Sequence, residues 1–208
     1  MNLPKSATIV IAAVTAAAWF VTSLLGADQW AALTIGFIPV RLSGVPTLYP
    51  AVPAWLTPLT SAFAHGGLLH LALNMLMLVW CGTKVERIIG AGPLILLYVV
   101  GAYTAAIAQW IMFPQSPIPM IGASGAISAV IGAFALSFGQ QKQIVSSPAL
   151  NRSLNALWLL AAWVLLQLMT QFLAGSQGYA LATPAHVGGF IAGLLLQRPL
   201  LLWRYRNA

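Results

Sequence analysis

Residues 120–139 read MIGASGAISAVIGAFALSFG, a stretch in which glycine, alanine and serine alternate with larger apolar residues. It contains no charged residue, and its apolar part predicts a short membrane helix over 122–138. Small residues on a membrane helix let a neighbouring helix approach closely, because no bulky side chain separates the two backbones. The stretch therefore predicts a tightly packed helix, and by itself it leaves open whether Ser124 serves packing or chemistry.

The composition of the rest of the chain is that of a membrane protein. Of its 208 residues, 60% are hydrophobic and 5% are charged, whereas soluble domains carry about 25% charged residues. Too few charged residues remain to form a water-facing surface. We therefore expect an all-α integral membrane protein that forms one membrane domain over residues 1–208.

Six apolar stretches predict membrane helices, each of which needs about 20 residues to cross a bilayer. They lie at approximately 7–26, 67–86, 92–113, 122–138, 154–174 and 184–203. The first is longer than the apolar region of about 7–15 residues in a signal peptide, and we interpret it as a span. The long outer loop at 27–66 contains Trp30, Trp55 and five prolines, which predicts short helices and turns in the membrane interface.

The basic residues predict the orientation of this six-helix bundle. Eight of the nine lie at connections on one side, and only Arg41, in the long first loop, lies on the other. Since positively charged residues concentrate in cytoplasmic loops, both termini are predicted to be cytoplasmic. The basic residues are scattered singly and form no patch, which argues against a nucleic-acid partner.

The rare polar residues of the predicted spans fall at one depth. His70 and Asn74 are four residues apart and share one face of the second helix. Ser124 is near the start of the fourth helix, and His186 opens the sixth. All three helices enter from the outer side, so these side chains should meet near the outer face. Ionisable groups inside a bilayer are costly, which makes this convergence a candidate functional site.

Ser124 and His186 have the parts of an activated nucleophile, a hydroxyl and a neighbouring general base. The small residues Gly125, Gly189 and Gly193 predict a close contact between the fourth and sixth helices, which would bring the serine and histidine within hydrogen-bond distance.

The chain contains only two acidic residues. Asp28 lies in the first loop and Glu86 at the cytoplasmic end of the second helix, so we expect a Ser-His dyad rather than a triad. His70, Asn74 and the Ser124 backbone N–H are the candidate donors to a developing oxyanion. Neither a metal site nor a cofactor is predicted.

Three motifs, in this order, resemble the rhomboid family of intramembrane serine proteases. They are AHGGLLHLALN at 64–74 with VERIIG at 85–90, GASGAISAVIGA at 122–133, and AHVGGFIAG at 185–193. The resemblance implies that Ser124 is the nucleophile, that His186 is the base, and that His70, Asn74 and Ser124 form the oxyanion hole. By the same resemblance, the supporting residues are His65, Gly122, Gly125, Gly189 and Gly193.

The resemblance also implies what the protein acts on and where. The expected substrates are membrane proteins cut in or beside a transmembrane segment, preferably at a small side chain. The fifth helix and the loop at 175–183, with Gly175 and Gly178, would form a lateral gate and cap. Membrane lipid is an expected partner, the location implied is a bacterial inner membrane, and the oligomeric state is left open.

Two positions depart from the family pattern. Ser128 stands where some members have an aromatic residue that stacks on the catalytic histidine. Trp30 and Arg41 are not adjacent, whereas many members have a Trp-Arg pair in the first loop.

Two other functions stay open at this point. One is an inactive relative that binds membrane segments. The other is a small transporter in which His65, His70 and His186 relay protons or hold a metal.

Overall fold

The computed structural model describes residues 6–139, 143, 145–175 and 182–206, with the backbone alone for 166–175. The described part is helical and contains no strand. Phe37 and Met120 form an isolated antiparallel β-bridge. The all-α prediction is thus confirmed for these residues. Lys5, Lys142 and Gly178, which entered the predictions of orientation and of a cap, lie outside the described residues.

The described residues form α1 (Ala7–Leu24), α2 (Asp28–Thr34), α3 (Pro39–Leu42), α4 (Thr57–Thr60), α5 (Leu68–Met77), α6 (Thr83–Ile89), α7 (Ala91–Met112), α8 (Ser124–Phe138), α9 (Pro148–Gly175) and α10 (Thr183–Arg204). Short 3-10 turns at Ala54–Leu56 and Ser61–Phe63 flank α4. A π-helical turn at Leu78–Gly82 joins α5 to α6, so that Leu68–Ile89 is one continuous helix.

Four helices in the described part are long and apolar enough to cross a membrane: Ala7–Leu24, Leu68–Ile89, Ala91–Met112 and Thr183–Arg204. They match the predicted first, second, third and sixth spans, with ends that differ by at most three residues. The other two predicted spans are also helices. α8 has 15 residues, and α9 has 28 and begins six residues earlier than predicted.

The segment between α1 and α5 consists of short helices and turns, as its prolines predicted. Arg41 donates from Nη2 to the carbonyl oxygen of Val52 at 2.6 Å, which closes the loop on itself. Phe37 and Met120 exchange backbone hydrogen bonds of 3.0 and 2.7 Å. The loop therefore braces the stretch of chain that leads into α8.

α8 packs against both α7 and α10, and these two helices also pack against each other. Nine of its 15 residues are buried, most of them glycine, alanine or serine. A side chain at Gly101 of α7 would come within 2.5 Å of the Ala129 methyl group, and one at Gly125 within 2.7 Å of the Ala105 methyl group. The small residues of the 120–139 stretch thus allow the backbones of α7 and α8 to pack closely against each other.

Glu86 binds the first turn of α1 from the neighbouring helix. Its Oε1 accepts from the Ala7 N–H at 2.8 Å. Its Oε2 accepts from the Thr8 N–H at 3.0 Å, the Thr8 hydroxyl at 2.6 Å and the Ser6 hydroxyl at 2.7 Å. The first N–H groups of a helix have no partner within it and favour a negative charge. Glu86 therefore fixes the start of α1 against α6.

Replacing Glu86 by glutamine should destabilise the protein, because an amide offers one acceptor oxygen to four donors and adds donors of its own. Hydrogen bonds to charged groups contribute about 1.5–3 kcal/mol each, so we expect the free energy of unfolding in micelles to fall by about 2–3 kcal/mol. Asp28→Asn is the matched control, because it neutralises the other acidic residue at an exposed position. Equal losses in the two variants would contradict a specific role for Glu86.

Candidate active site

The site is built where α10 lies directly against α8. A Cβ atom at Gly189 would lie 2.1 Å from the Gly125 carbonyl oxygen, and one at Gly193 would lie 2.0 Å from that of Ala129. Both distances are far too short for any side chain, so glycine is needed at both positions. The close approach predicted from the spacing of these glycines is confirmed.

This approach places Ser124 beside His186. Ser124 is the first residue of α8, and His186 lies in the first turn of α10. The Nε2 atom of His186 is 2.8 Å from the Oγ atom of Ser124, a hydrogen-bond distance. When Nε2 is unprotonated, the serine hydroxyl donates to it, which is the arrangement needed for proton removal.

His70 lies next to this pair and is oriented by its own loop. Its Nδ1 accepts from the Gly66 N–H at 3.3 Å, so the neutral ring carries its proton on Nε2. A Cβ atom at Gly122 would lie 2.8 Å from that Nε2 and 3.8 Å from the Ser124 hydroxyl. Gly122 also has a φ of +110°, a conformation that favours glycine. Gly122 thus leaves open the space between His70 and Ser124.

Asn74 is buried one helical turn after His70. Its Nδ2 donates to the His70 carbonyl oxygen at 2.8 Å. One of its two amide protons is thereby held within the helix.

His65 is buried behind His70, at 3% exposure. Its ring lies edge-on to the His70 ring with centroids 5.0 Å apart, and its carbonyl oxygen accepts from Trp19 Nε1 at 3.0 Å. Burial, with a smaller contribution from His70, lowers the pKa of His65 to about 4. His65 is therefore neutral near pH 7 and contacts the site through ring packing.

Two further residues touch the Ser-His pair: Ser128, which the sequence marked only as a departure from the family pattern, and Trp163, which it did not single out. Ser128 donates from its hydroxyl to the Ser124 carbonyl oxygen at 2.8 Å, within the first turn of α8. Trp163 of α9 donates from Nε1 to the His186 carbonyl oxygen at 3.4 Å, and its ring stacks on Phe190 with centroids 5.0 Å apart. No local pattern signals Trp163, since it is 23 residues from His186 on another helix.

A small cavity lies beside Ser124. Its volume is about 10 Å³, close to the minimum for one water molecule. Small residues form much of its wall, among them Ala102, Ala105, Gly125 and Ala185. The space next to the serine hydroxyl is therefore shaped for a small group.

The apolar helices and the polar cluster between them define a multi-pass membrane protein, and comparison with known proteins gives its family. A family profile described as the rhomboid domain matches residues 53–203. The chain belongs to the rhomboid family.

Individual relatives agree with this assignment. Rhomboid protease GluP of Bacillus subtilis (strain 168) is 43% identical over 79 residues, which are 38% of this chain and 15% of that protein. RHOMBOID-like protein 4 of Arabidopsis thaliana is 31% identical over 145 residues, 69% of this chain and 34% of that protein. Rhomboid protease GlpG of Pectobacterium atrosepticum is 28% identical over 173 residues, 77% of this chain and 56% of that protein. The match thus covers between 15% and 56% of the length of these relatives.

Replacing Gly189 by alanine should push α10 away from α8, because the new methyl group would overlap the Gly125 carbonyl oxygen. Overpacking of this kind costs about 1–3 kcal/mol, and we expect that loss in the free energy of unfolding in micelles. Gly92→Ala is the matched control, since a Cβ at Gly92 of α7 would meet nothing within 4 Å. Indistinguishable stabilities of the two variants would contradict the tight contact.

Proposed function

We propose that this protein is an intramembrane serine endopeptidase that cuts membrane proteins with a dyad of Ser124 and His186. The observation that carries the proposal is the 2.8 Å separation between Ser124 Oγ and His186 Nε2, residues 62 positions apart on two apolar helices. Membership of the rhomboid family supports it, and the relatives GluP and GlpG are named as proteases.

In this mechanism His186 Nε2 removes the hydroxyl proton while Ser124 Oγ attacks the scissile carbonyl carbon. His186 then gives that proton to the nitrogen of the departing amine, and an acyl-enzyme on Ser124 remains. Water attacks this ester with His186 again as base, which releases the carboxylate product and restores the serine hydroxyl. His186 is half-buried, and its place in the first turn of α10 keeps its ring next to Ser124.

The developing oxyanion is stabilised by donors that surround Ser124. The Ser124 backbone N–H is free of intrahelical bonding because it opens α8, and the helix dipole favours negative charge there. His70 Nε2–H is the second donor, and the amide proton of Asn74 that is not bonded to His70 is the third. Loss of one such donor typically costs about 10²–10³ in rate.

The arrangement in the membrane belongs to the same proposal. α8 and α9 complete six spans of a single membrane domain, both termini are cytoplasmic, and the dyad lies near the outer face of a bacterial inner membrane. The polar ends of the helices support this. Ser124 and His186 open α8 and α10, whereas Arg204 lies at the end of α10, within 3.5 Å of a Cβ at Gly90.

The substrates in this proposal are membrane proteins cut in or beside a transmembrane segment. The cavity beside Ser124, with its alanine and glycine walls, supports a small side chain at the cut. α9 and the loop at 175–183 form the lateral gate and cap; residues 176–181 of that loop lie outside the described residues.

Ser124→Ala and His186→Ala should each reduce cleavage of a transmembrane reporter in liposomes by at least ~10³-fold, because each removes one member of a unit that acts together. Ser137→Ala is the matched control: it changes a serine of the same helix whose hydroxyl donates to the Ala133 carbonyl oxygen, and it should cleave like wild type. Cleavage at wild-type rates by purified Ser124→Ala would overturn the assignment.

A fluorophosphonate probe separates the other functions. It should label wild type and Ser137→Ala but not Ser124→Ala. A folded wild type that several probes fail to label would indicate a binder of membrane segments. Ion or solute flux in vesicles that depends on the histidines would indicate a transporter.

Trp163 is a positioning residue in this mechanism, since it holds the backbone of His186. Trp163→Phe keeps a ring to stack on Phe190 but removes the donated N–H, and such a bond contributes about 0.5–1.5 kcal/mol. We expect kcat to fall by roughly 2–10-fold with KM and thermal stability unchanged. Trp158→Phe, at an exposed tryptophan of the same helix, is the control and should leave kcat unchanged. A purely structural Trp163 would lower the stability without changing kcat.

A further inference from the structure

A second cavity lies away from the candidate site. It is enclosed by the middle of the second span, where α5 passes into the π-helical turn, and by α8 and α9. Its volume is about 540 Å³, within the range of about 300–1,000 Å³ typical of ligand sites. Apolar side chains form its walls, among them Leu76, Trp80, Cys81, Phe134, Phe138 and Leu159. We refer to this space as the aromatic groove.

The aromatic groove is separate from the Ser-His pair. Phe134 and Phe138 follow Ser124 by ten and fourteen residues along α8, a distance of about 15–21 Å. The groove shares no lining residue with the small cavity beside Ser124. It therefore faces the half of the bundle in which α6 ends.

Among the described residues, Lys84 is a cation that reaches the aromatic groove. The Nζ atom of Lys84 lies 4.4 Å from the centroid of the Trp80 ring and 5.5 Å from that of Phe134. Both rings line the groove. The apolar space thus has an ammonium group at its edge.

Neither carboxylate side chain of the chain is placed to form an ion pair with Lys84. The chain contains two acidic residues, and both oxygens of Glu86 accept from Ser6, Ala7 and Thr8. Glu86 is two residues from Lys84, and side chains two apart on a helix do not face each other. Asp28 opens α2, just past the far end of α1. An opposite charge that pairs with Lys84 would therefore come from another molecule.

We propose that the aromatic groove binds an anionic glycerophospholipid from the leaflet at which α6 ends. One acyl chain fills the groove, and the headgroup phosphate pairs with Lys84. An amphiphile of this kind satisfies both features at once, since basic pockets between membrane helices bind lipid headgroups and the groove walls take the hydrocarbon. The proposal is independent of the protease mechanism.

Photocrosslinking tests it on the full chain in micelles. The probes are phosphatidylglycerol and phosphatidylcholine with the same diazirine-bearing acyl chain, and the labelled peptides are identified by mass spectrometry. We expect phosphatidylglycerol to label the lining of the groove several-fold more than phosphatidylcholine does. Lys84→Gln should lower this labelling by at least about fivefold, and Lys84→Arg should retain it because the charge is kept.

Two further variants make the outcome specific. Arg87→Gln removes an exposed cation three residues from Lys84 and should leave labelling unchanged. Ala135→Phe fills the groove from α8 and should lower labelling by both lipids. Equal labelling by the two lipids, or labelling that ignores Lys84, would overturn the proposal. So would labelling of the groove by a photoreactive transmembrane peptide that excludes the lipid, since the groove would then hold a protein segment.

Discussion

The contact between the backbones of α8 and α10 sets the geometry of the rest of the molecule. At Gly189 and Gly193 the carbonyl oxygens of α8 occupy the space where side chains would be. Two helices packed this closely cannot slide or rotate past each other without overlap, because packed interiors tolerate little deformation. The register between Ser124 and His186 is therefore fixed by glycines that take no part in chemistry.

Hydrogen bonds from neighbouring segments hold the starts of α8, α10 and α1. The first loop bonds to Met120 just before α8, Trp163 bonds to the carbonyl of His186 in α10, and Glu86 holds the start of α1. The reactive pair lies at the starts of two helices, and helix ends are where local opening begins. The bonds to Met120 and to the His186 carbonyl counteract fraying at the two helix ends that carry the candidate site.

The helices and the meeting of the polar residues could be predicted from the sequence, because both depend on patterns within single helices. Apolar runs, the spacing of Gly189 and Gly193, and the four-residue separation of His70 and Asn74 depend on helix geometry alone. The contact of Trp163 with His186, the capping of α1 by Glu86 and the aromatic groove depend on side chains that come from distant segments. Such contacts follow from the exact crossing of helices, which no short window of sequence specifies. Ser128 stands where some family members have an aromatic residue that stacks on the catalytic histidine, and its hydroxyl donates to the Ser124 carbonyl oxygen.

The length of α8 has a consequence for the surrounding bilayer. Its 15 residues rise about 22 Å, whereas the hydrocarbon core is about 30 Å thick. As the fourth span of the proposed bundle, α8 would produce hydrophobic mismatch, which is relieved by thinning of the adjacent lipid or by a recess at one end of the helix. A recess at the Ser124 end would admit the water that hydrolysis of a peptide bond consumes, without a channel through the whole protein.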